Sequence, residues 1–199
     1  MASTPRIPKT EVTGIDGALA KFFTRRMLGE VPEGLGVMWH YPKVIKDLSG
    51  MGRKAEKWDE LDPNLKSFAH MAVASLVGCA WCLDFGYFQA HNEGLDEAKA
   101  SEIPRWRESD VFTPLERDVL EYAEAMTMTP PTVTDEISAR LLEQLGAPAM
   151  VELTVWIALS NVWTRSNAAA GIESQGFSAA CELPLAEPTA QSQGVPSPA

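Results

Sequence analysis

Apolar residues recur at intervals of three and four along most of this chain, and no stretch sustains an alternation of two. That spacing predicts helices rather than strands. The first runs from Ile15 through Ala18, Leu19, Phe22, Phe23 and Met27 to a stop near Gly29. A second helical stretch covers residues 35–51, with Pro42 inside it. It is therefore either kinked or made of two shorter helices meeting at His40-Tyr41-Pro42. Asp62 followed by Pro63 reads as a cap and a first helical position, and Leu65, Phe68, Ala69, Ala72, Val73 and Leu76 continue that helix. Gly78 interrupts, and a further helix spans 79–93 with Gly94 as its stop. Residues 96–103 give a short helix limited by Pro104.

Thr113-Pro114-Leu115-Glu116 has the form of a capping box, opening a helix through Leu120, Ala123 and Met126. Thr134 opens another, with Asp135 and Glu136 favourably placed against its dipole. After Gly146-Ala147-Pro148 a long apolar helix reaches Ala170, and Gly171 closes it. Met150, Val151, Leu153, Val155, Trp156, Ile157, Leu159, Val162 and Trp163 cover more than one face of it. Such a helix is buried among others or lies in a subunit interface.

The outer segments lack this periodicity. Residues 1–14 read as a flexible arm, ordered only by docking, and 184–199 as a disordered tail of Pro, Ala, Ser, Gln and Glu. Between them, 15–183 form a single all-α domain. Its 199-residue chain is long enough to bury a core, and 45% hydrophobic with 22% charged residues is ordinary for a globular protein.

A formal charge of −10, with no basic cluster, argues against nucleic acid and against an anionic membrane surface. No uninterrupted apolar run reaches the roughly 18 residues of a membrane span. The first residues lack the apolar core and cleavage site of a secretory signal. The expected location is the cytoplasm.

Chemistry enters with Cys79-Ala80-Trp81-Cys82. Residues three apart on a helix share a face, so the two sulfurs can form a disulfide. At a helix start, unpaired amides and the dipole favour a thiolate. Two alternatives stay open. A metal site would need two more ligands from Cys181 and the three histidines, which lack metal-like spacing, and two unrelated buried cysteines would need none. No metal and no cofactor are expected. Without a haem, flavin or nicotinamide motif, electrons would arrive through a thiol partner.

The surroundings of the pair carry a family resemblance. Leu61-Asp62-Pro63-Asn64-Leu65, Gly78-Cys79-Ala80-Trp81-Cys82-Leu83-Asp84 and Glu93-Gly94-Leu95 resemble the core of an AhpD-like domain of the carboxymuconolactone decarboxylase superfamily. Glu121-Tyr122-Ala123-Glu124-Ala125, Val151-Glu152-Leu153-Thr154 and the stretch from Asn161 to Arg165-Ser166-Asn167 are similar to its later helices, and Gly171-Ile172-Glu173 also fits. The resemblance covers residues 35–176. It implies an AhpD-like helical bundle with the cysteine pair at a helix N-terminus, Cys82 attacking an organic hydroperoxide, and Cys79 resolving it as a disulfide. It also implies a thiol or lipoylated protein as reductant and a homo-oligomer, most simply a dimer.

The sequence departs from that pattern at two positions. The redox branch has a glutamate twelve residues before its first cysteine and a histidine four after its second, a proton relay for the thiol. Here those positions are Ser67 and Gly86. Accessory groups that could substitute are His40, Asp84 and His91. His70 lies nine residues before Cys79, and His91 nine after Cys82, about half a turn off its face on an ideal helix. Trp39, Tyr41, Trp81, Phe85 and Tyr87, with the space left at Ser67 and Gly86, could line an apolar pocket, although core packing is the default for aromatics. Asn161 and Arg165, one turn apart, read as structural, and Cys181 as a bystander.

Three functions follow. The first is a thiol-dependent peroxidase of the alkylhydroperoxidase class. The second is a ligand-binding protein on the same scaffold with little or no peroxidase activity, suggested by Ser67 and Gly86. The third is a cofactor-free lyase of the carboxymuconolactone decarboxylase type, weakened by the lack of a nearby carboxylate–histidine pair.

Overall fold

The computed structural model describes residues 5–181 and 183–187. Among them there is no strand. Eight α-helices follow in order: α1 (Gly14–Leu28), α2 (Glu33–Met38), α3 (Pro42–Ala55), α4 (Pro63–Val77), α5 (Ala80–Asn92), α6 (Glu97–Ala100), α7 (Pro114–Thr127) and α8 (Asp135–Ala170). Two short 3-10 turns lie at Ile103–Arg105 and Phe177–Ala180. The all-α expectation is met, and Pro42 begins a separate helix instead of kinking one.

The helix signals act as their chemistry dictates. Asp62 accepts from the Asn64 amide at 2.8 Å. Thr113 and Glu116 close a reciprocal capping box, satisfying two amides that a helix start leaves unpaired. Gly146 sits inside α8 with φ 77°, a left-handed conformation that breaks the helical path and bends it before Pro148.

The core is built on α4, α7 and α8. Phe68, Met71 and Val73 from α4 meet Val119 and Leu120 from α7 and Leu153 and Ile157 from α8, all fully buried. One ionic pair is enclosed with them. Lys66 Nζ lies 2.9 Å from Glu152 Oε1 and donates to the carbonyls of Ala55 and Trp58. The other Glu152 oxygen accepts from the amides of Glu60 and Leu61. These bonds pin the α3–α4 connection to α8 and set the two buried charges against each other.

By length and composition α8 could cross a membrane. The apolar-run count misses this because Glu152, Thr154, Ser160 and Asn161 interrupt its apolar stretch. One face of it, with Leu153, Ile157, Ser160 and Thr164, is buried in the bundle, while Val151, Val155 and Val162 are exposed.

Residues 5–13 lie against the body. Arg6 donates to the carbonyls of Ala168 and Ala169, and its amide to that of Ala170, capping the end of α8. Beyond the last turn, the Ala186 amide donates to the Ser101 carbonyl at 2.9 Å. Of the tail expected at 184–199, residues 188–199 lie outside the described residues.

Candidate functional site

Gly78 positions the cysteines. Its φ of 73° lets α4 end and the chain reverse, conditions a residue with a Cβ meets only at a cost. Cys79 is then the N-cap of α5 and Cys82 lies in its first turn, and the two are disulfide-bonded. Both are buried. The Cys82 amide donates to Cys79 Sγ at 3.3 Å, and Asn167 Nδ2 of α8 approaches Cys82 Sγ at 3.4 Å. Each sulfur therefore has an N–H donor that would stabilise negative charge once the bond is reduced.

Around the pair stands an aromatic wall. Trp81 stacks on Phe85 with ring centroids 5.0 Å apart, and Phe177 meets both edge-on at 6.1 and 6.3 Å. The Trp81 indole donates to Gln175 at 3.3 Å. This brings the segment after α8 over the start of α5.

Asp84 anchors that segment. Its carboxylate accepts from Ser174 Oγ at 2.7 Å and from the amides of Gly176, Phe177 and Ser178 at 2.9, 3.0 and 2.7 Å. Burial works to raise its pKa, but these hydrogen bonds outweigh it and hold the pKa below the usual carboxylate value. Asp84 is committed to the loop.

The space at Gly86 is filled from α4. A Cβ there would lie 3.2 Å from His70 Cδ2 and 3.2 Å from Met71 Cγ. His70 Nδ1 is 3.1 Å from the hydroxyl of buried Ser160, and its ring packs near Trp156 and Trp163. Enclosure penalises the imidazolium and lowers its pKa to about 4, with a backbone hydrogen bond to Cys82 opposing the shift. Near neutral pH the ring is uncharged. Neutral imidazole carries one N–H and one bare nitrogen.

The other sequence-designated residues are dispersed. His40 Nε2 pairs with the Pro8 carbonyl at the exposed surface. Trp39 packs with Val12 and Leu35 in a separate cluster, Tyr41 is exposed, and Ser67 is half-buried on α4. His91 pairs with Glu97 Oε2 at 2.7 Å. Tyr87 is fully buried, and its one hydroxyl hydrogen is shared between Glu97 and the Leu183 carbonyl. Asn161 and Arg165 bind Thr127 at the end of α7, an architectural task. Burial and the charges of Glu97 and Asp84 push the free Cys181 thiol up to about 11.

Sequence reasoning gave no site role to Asn167, Ser160 or Gln175, and ideal-helix angles set His70 apart from the pair. Those angles do not apply, because His70 and the cysteines are on different helices. His70 and Gly86 are each eight residues from Gly78, the turn of a helical hairpin, and that symmetry is the signal that places them level.

Comparison with known proteins gives a consistent picture. The profile of the carboxymuconolactone decarboxylase family matches residues 42–125. The uncharacterized protein YnjA of Escherichia coli (strain K12) is 34% identical over 161 residues, covering 80% of this chain and 87% of YnjA. Among solved structures, the AhpD core of an uncharacterized peroxidase-related protein from Ralstonia eutropha JMP134 superposes with a TM-score of 0.78. It is 15% identical, over 92% of this chain and all (100%) of that one. The debrominase Bmp8, in complex with 2,3,4-tribromopyrrole, superposes with a TM-score of 0.73 at 20% identity, over 90% and 95% of the two chains. At such identities the two structures establish the shared fold.

Proposed function

Because this chain belongs to the AhpD-like carboxymuconolactone decarboxylase superfamily, we propose that it is a thiol-dependent peroxidase that cycles through the Cys79–Cys82 disulfide. The observation that carries this reading is the disulfide at the start of α5, with a separate N–H donor at each sulfur.

In the reduced protein the Cys82 thiolate attacks the outer oxygen of an organic hydroperoxide. An S–O bond forms, the O–O bond breaks, and the alcohol leaves after taking a proton. Cys79 then attacks the Cys82 sulfenic acid, closing the disulfide and releasing water. An external dithiol, free or carried on a lipoylated protein, reduces the disulfide and is itself oxidised. In that step Cys79 leaves as a thiolate steadied by the Cys82 amide. His70, hydrogen-bonded to Ser160 and to the Cys82 backbone, is our candidate for the proton-passing task that the branch gives to a histidine on α5. The proposal extends to a homodimer acting in the cytoplasm.

A second electrophile is favoured by the wall of Trp81, Phe85 and Phe177, which suits a flat apolar molecule. A brominated heteroaromatic would accept the same two electrons. Carbon–bromine cleavage would yield the C–H product, bromide and a proton as the disulfide closes.

The test is a thiol titration of reduced protein. On adding cumene hydroperoxide, two thiols per chain should disappear together and return with dithiothreitol, and Cys82→Ser should lose turnover while staying folded. A bromopyrrole in place of the peroxide separates the two electrophiles. If the thiols persist with both compounds, the redox reading fails and the ligand-binding reading replaces it.

A further inference from the structure

At the far end of α5 from the disulfide, three side chains of different chemistry converge from three elements. His91 comes from the last turn of α5, Glu97 from the start of α6, and Cys181 from just after the second 3-10 turn. One ligand atom of each lies within 4.8 Å of the other two. We propose that His91, Glu97 and Cys181 form a zinc(II) site, with water in the fourth position, that fastens the segment after α8 to the α5–α6 corner.

The donor set selects the ion. Imidazole, carboxylate and thiolate together suit zinc, whereas magnesium and calcium call for oxygen alone. Tetrahedral zinc with bonds of about 2.0–2.3 Å sets its ligand atoms roughly 3.3–3.7 Å apart. His91 Nδ1 and Glu97 Oε2 stand at 2.7 Å, so the ion would replace the proton between them and part them by under about 1 Å. Cys181 Sγ, within 4.8 Å of the other two ligand atoms, closes by roughly 1 Å.

An outer shell is already in place. Glu97 Oε1 accepts from the Tyr87 hydroxyl at 3.2 Å and from the Leu183 amide at 3.1 Å, leaving Oε2 to face His91. Such partners fix a ligand's orientation before the metal arrives. The single Tyr87 hydroxyl hydrogen is shared with the Leu183 carbonyl at 2.9 Å, so the same residues that aim Glu97 also hold Leu183. On binding, Cys181 gives up its proton to solvent and becomes a thiolate ligand.

The experiment uses the full chain with Cys79–Cys82 oxidised, which removes those sulfurs as ligands. Zinc chloride is titrated against a chromophoric chelator, and cobalt(II) serves as the spectroscopic probe. One zinc per chain is expected, and cobalt should give thiolate charge-transfer absorption with the visible bands of a tetrahedral site. Cys181→Ser and His91→Ala should each weaken binding by more than about a hundredfold, since outer-shell partners alone account for about 10–100-fold. Tyr87→Phe should fall in that lower range. Removing both redox cysteines should leave zinc binding unchanged, which separates this site from the proposed peroxidase. The proposal is overturned by no zinc uptake, by equal affinity in wild type and Cys181→Ser, or by cobalt spectra without a thiolate band.

Discussion

His70 and Gly86 are complementary in space: a Cβ added to Gly86 would stand 3.2 Å from the His70 ring, so the imidazole occupies the room that the missing side chain leaves. The glycine is thereby explained by packing. Gly86→Ala is expected to cost about 1–3 kcal/mol by overfilling, less the roughly 0.5–1 kcal/mol that alanine gains over glycine inside a helix. Adding His70→Ala should recover part of that loss, since the pair touch and their effects should not add. Urea unfolding of the two single variants and the double variant measures the coupling. Strict additivity would show that the two side chains do not compete for space.

The same enclosure makes stability depend on pH. The His70 pKa of about 4 lies below the ordinary value of 6.5, so the unfolded chain binds the proton more readily. The contribution of His70 is therefore fully present above pH 6.5 and is lost as pH falls towards 4, by about 3 kcal/mol at most. His70→Gln should flatten the stability curve across this window whatever it does to stability at pH 7. An unchanged slope would mean that the ring is solvated enough to titrate normally.

Asp84 should control access to the disulfide. It receives a hydroxyl and three amides from residues 174–178, and an asparagine there would turn one acceptor into a donor facing donors. Asp84→Asn is expected to cost about 1–3 kcal/mol. It should also speed hydrogen exchange in 174–178 and raise the rate at which a bulky phosphine reduces Cys79–Cys82. Faster exchange with unchanged reduction would show that the loop does not gate the sulfurs.

These relationships mark what the sequence could and could not show. Helix positions were legible because periodicity and caps are local: Thr113 with Glu116, Asp62 before Pro63 and Gly78 as a stop each act within one turn of their own position. The cysteine pair was legible for the same reason. Lys66 with Glu152 and Asn167 with Cys82 were not, because each joins helices whose relative rotation no local pattern fixes. The loop on Asp84 was hidden differently. Three of its four donors are backbone amides, which almost any sequence supplies.

Assembly is the remaining expectation, and the surface says where to look. α1 buries only Gly17 among its residues, while Ile15, Leu19, Phe22, Phe23 and Met27 are exposed, Ile15 to 83%. On α8, Val151, Val155 and Val162 form an exposed stripe at helical spacing, with Val151 at 64%. Isolated apolar residues on a surface are ordinary, and two helical stripes of this kind are where the expected contact is to be sought. A twofold dimer is the simplest arrangement that covers a self-complementary apolar face. Light scattering in about 0.15 M salt should therefore give twice the 21.7 kDa of one chain. Phe22→Glu with Phe23→Glu, or Val151→Glu with Val155→Glu, should shift the protein towards the monomer, because each pair places like charges where two apolar faces would meet. The two pairs also rank the helices: the one nearer the centre of the interface should raise the dissociation constant by more than about a hundredfold, roughly 2.7 kcal/mol, and the other by less. A wild-type protein that stays at one chain's mass as concentration rises, or a dimer indifferent to both pairs of substitutions, would place these stripes outside any subunit contact.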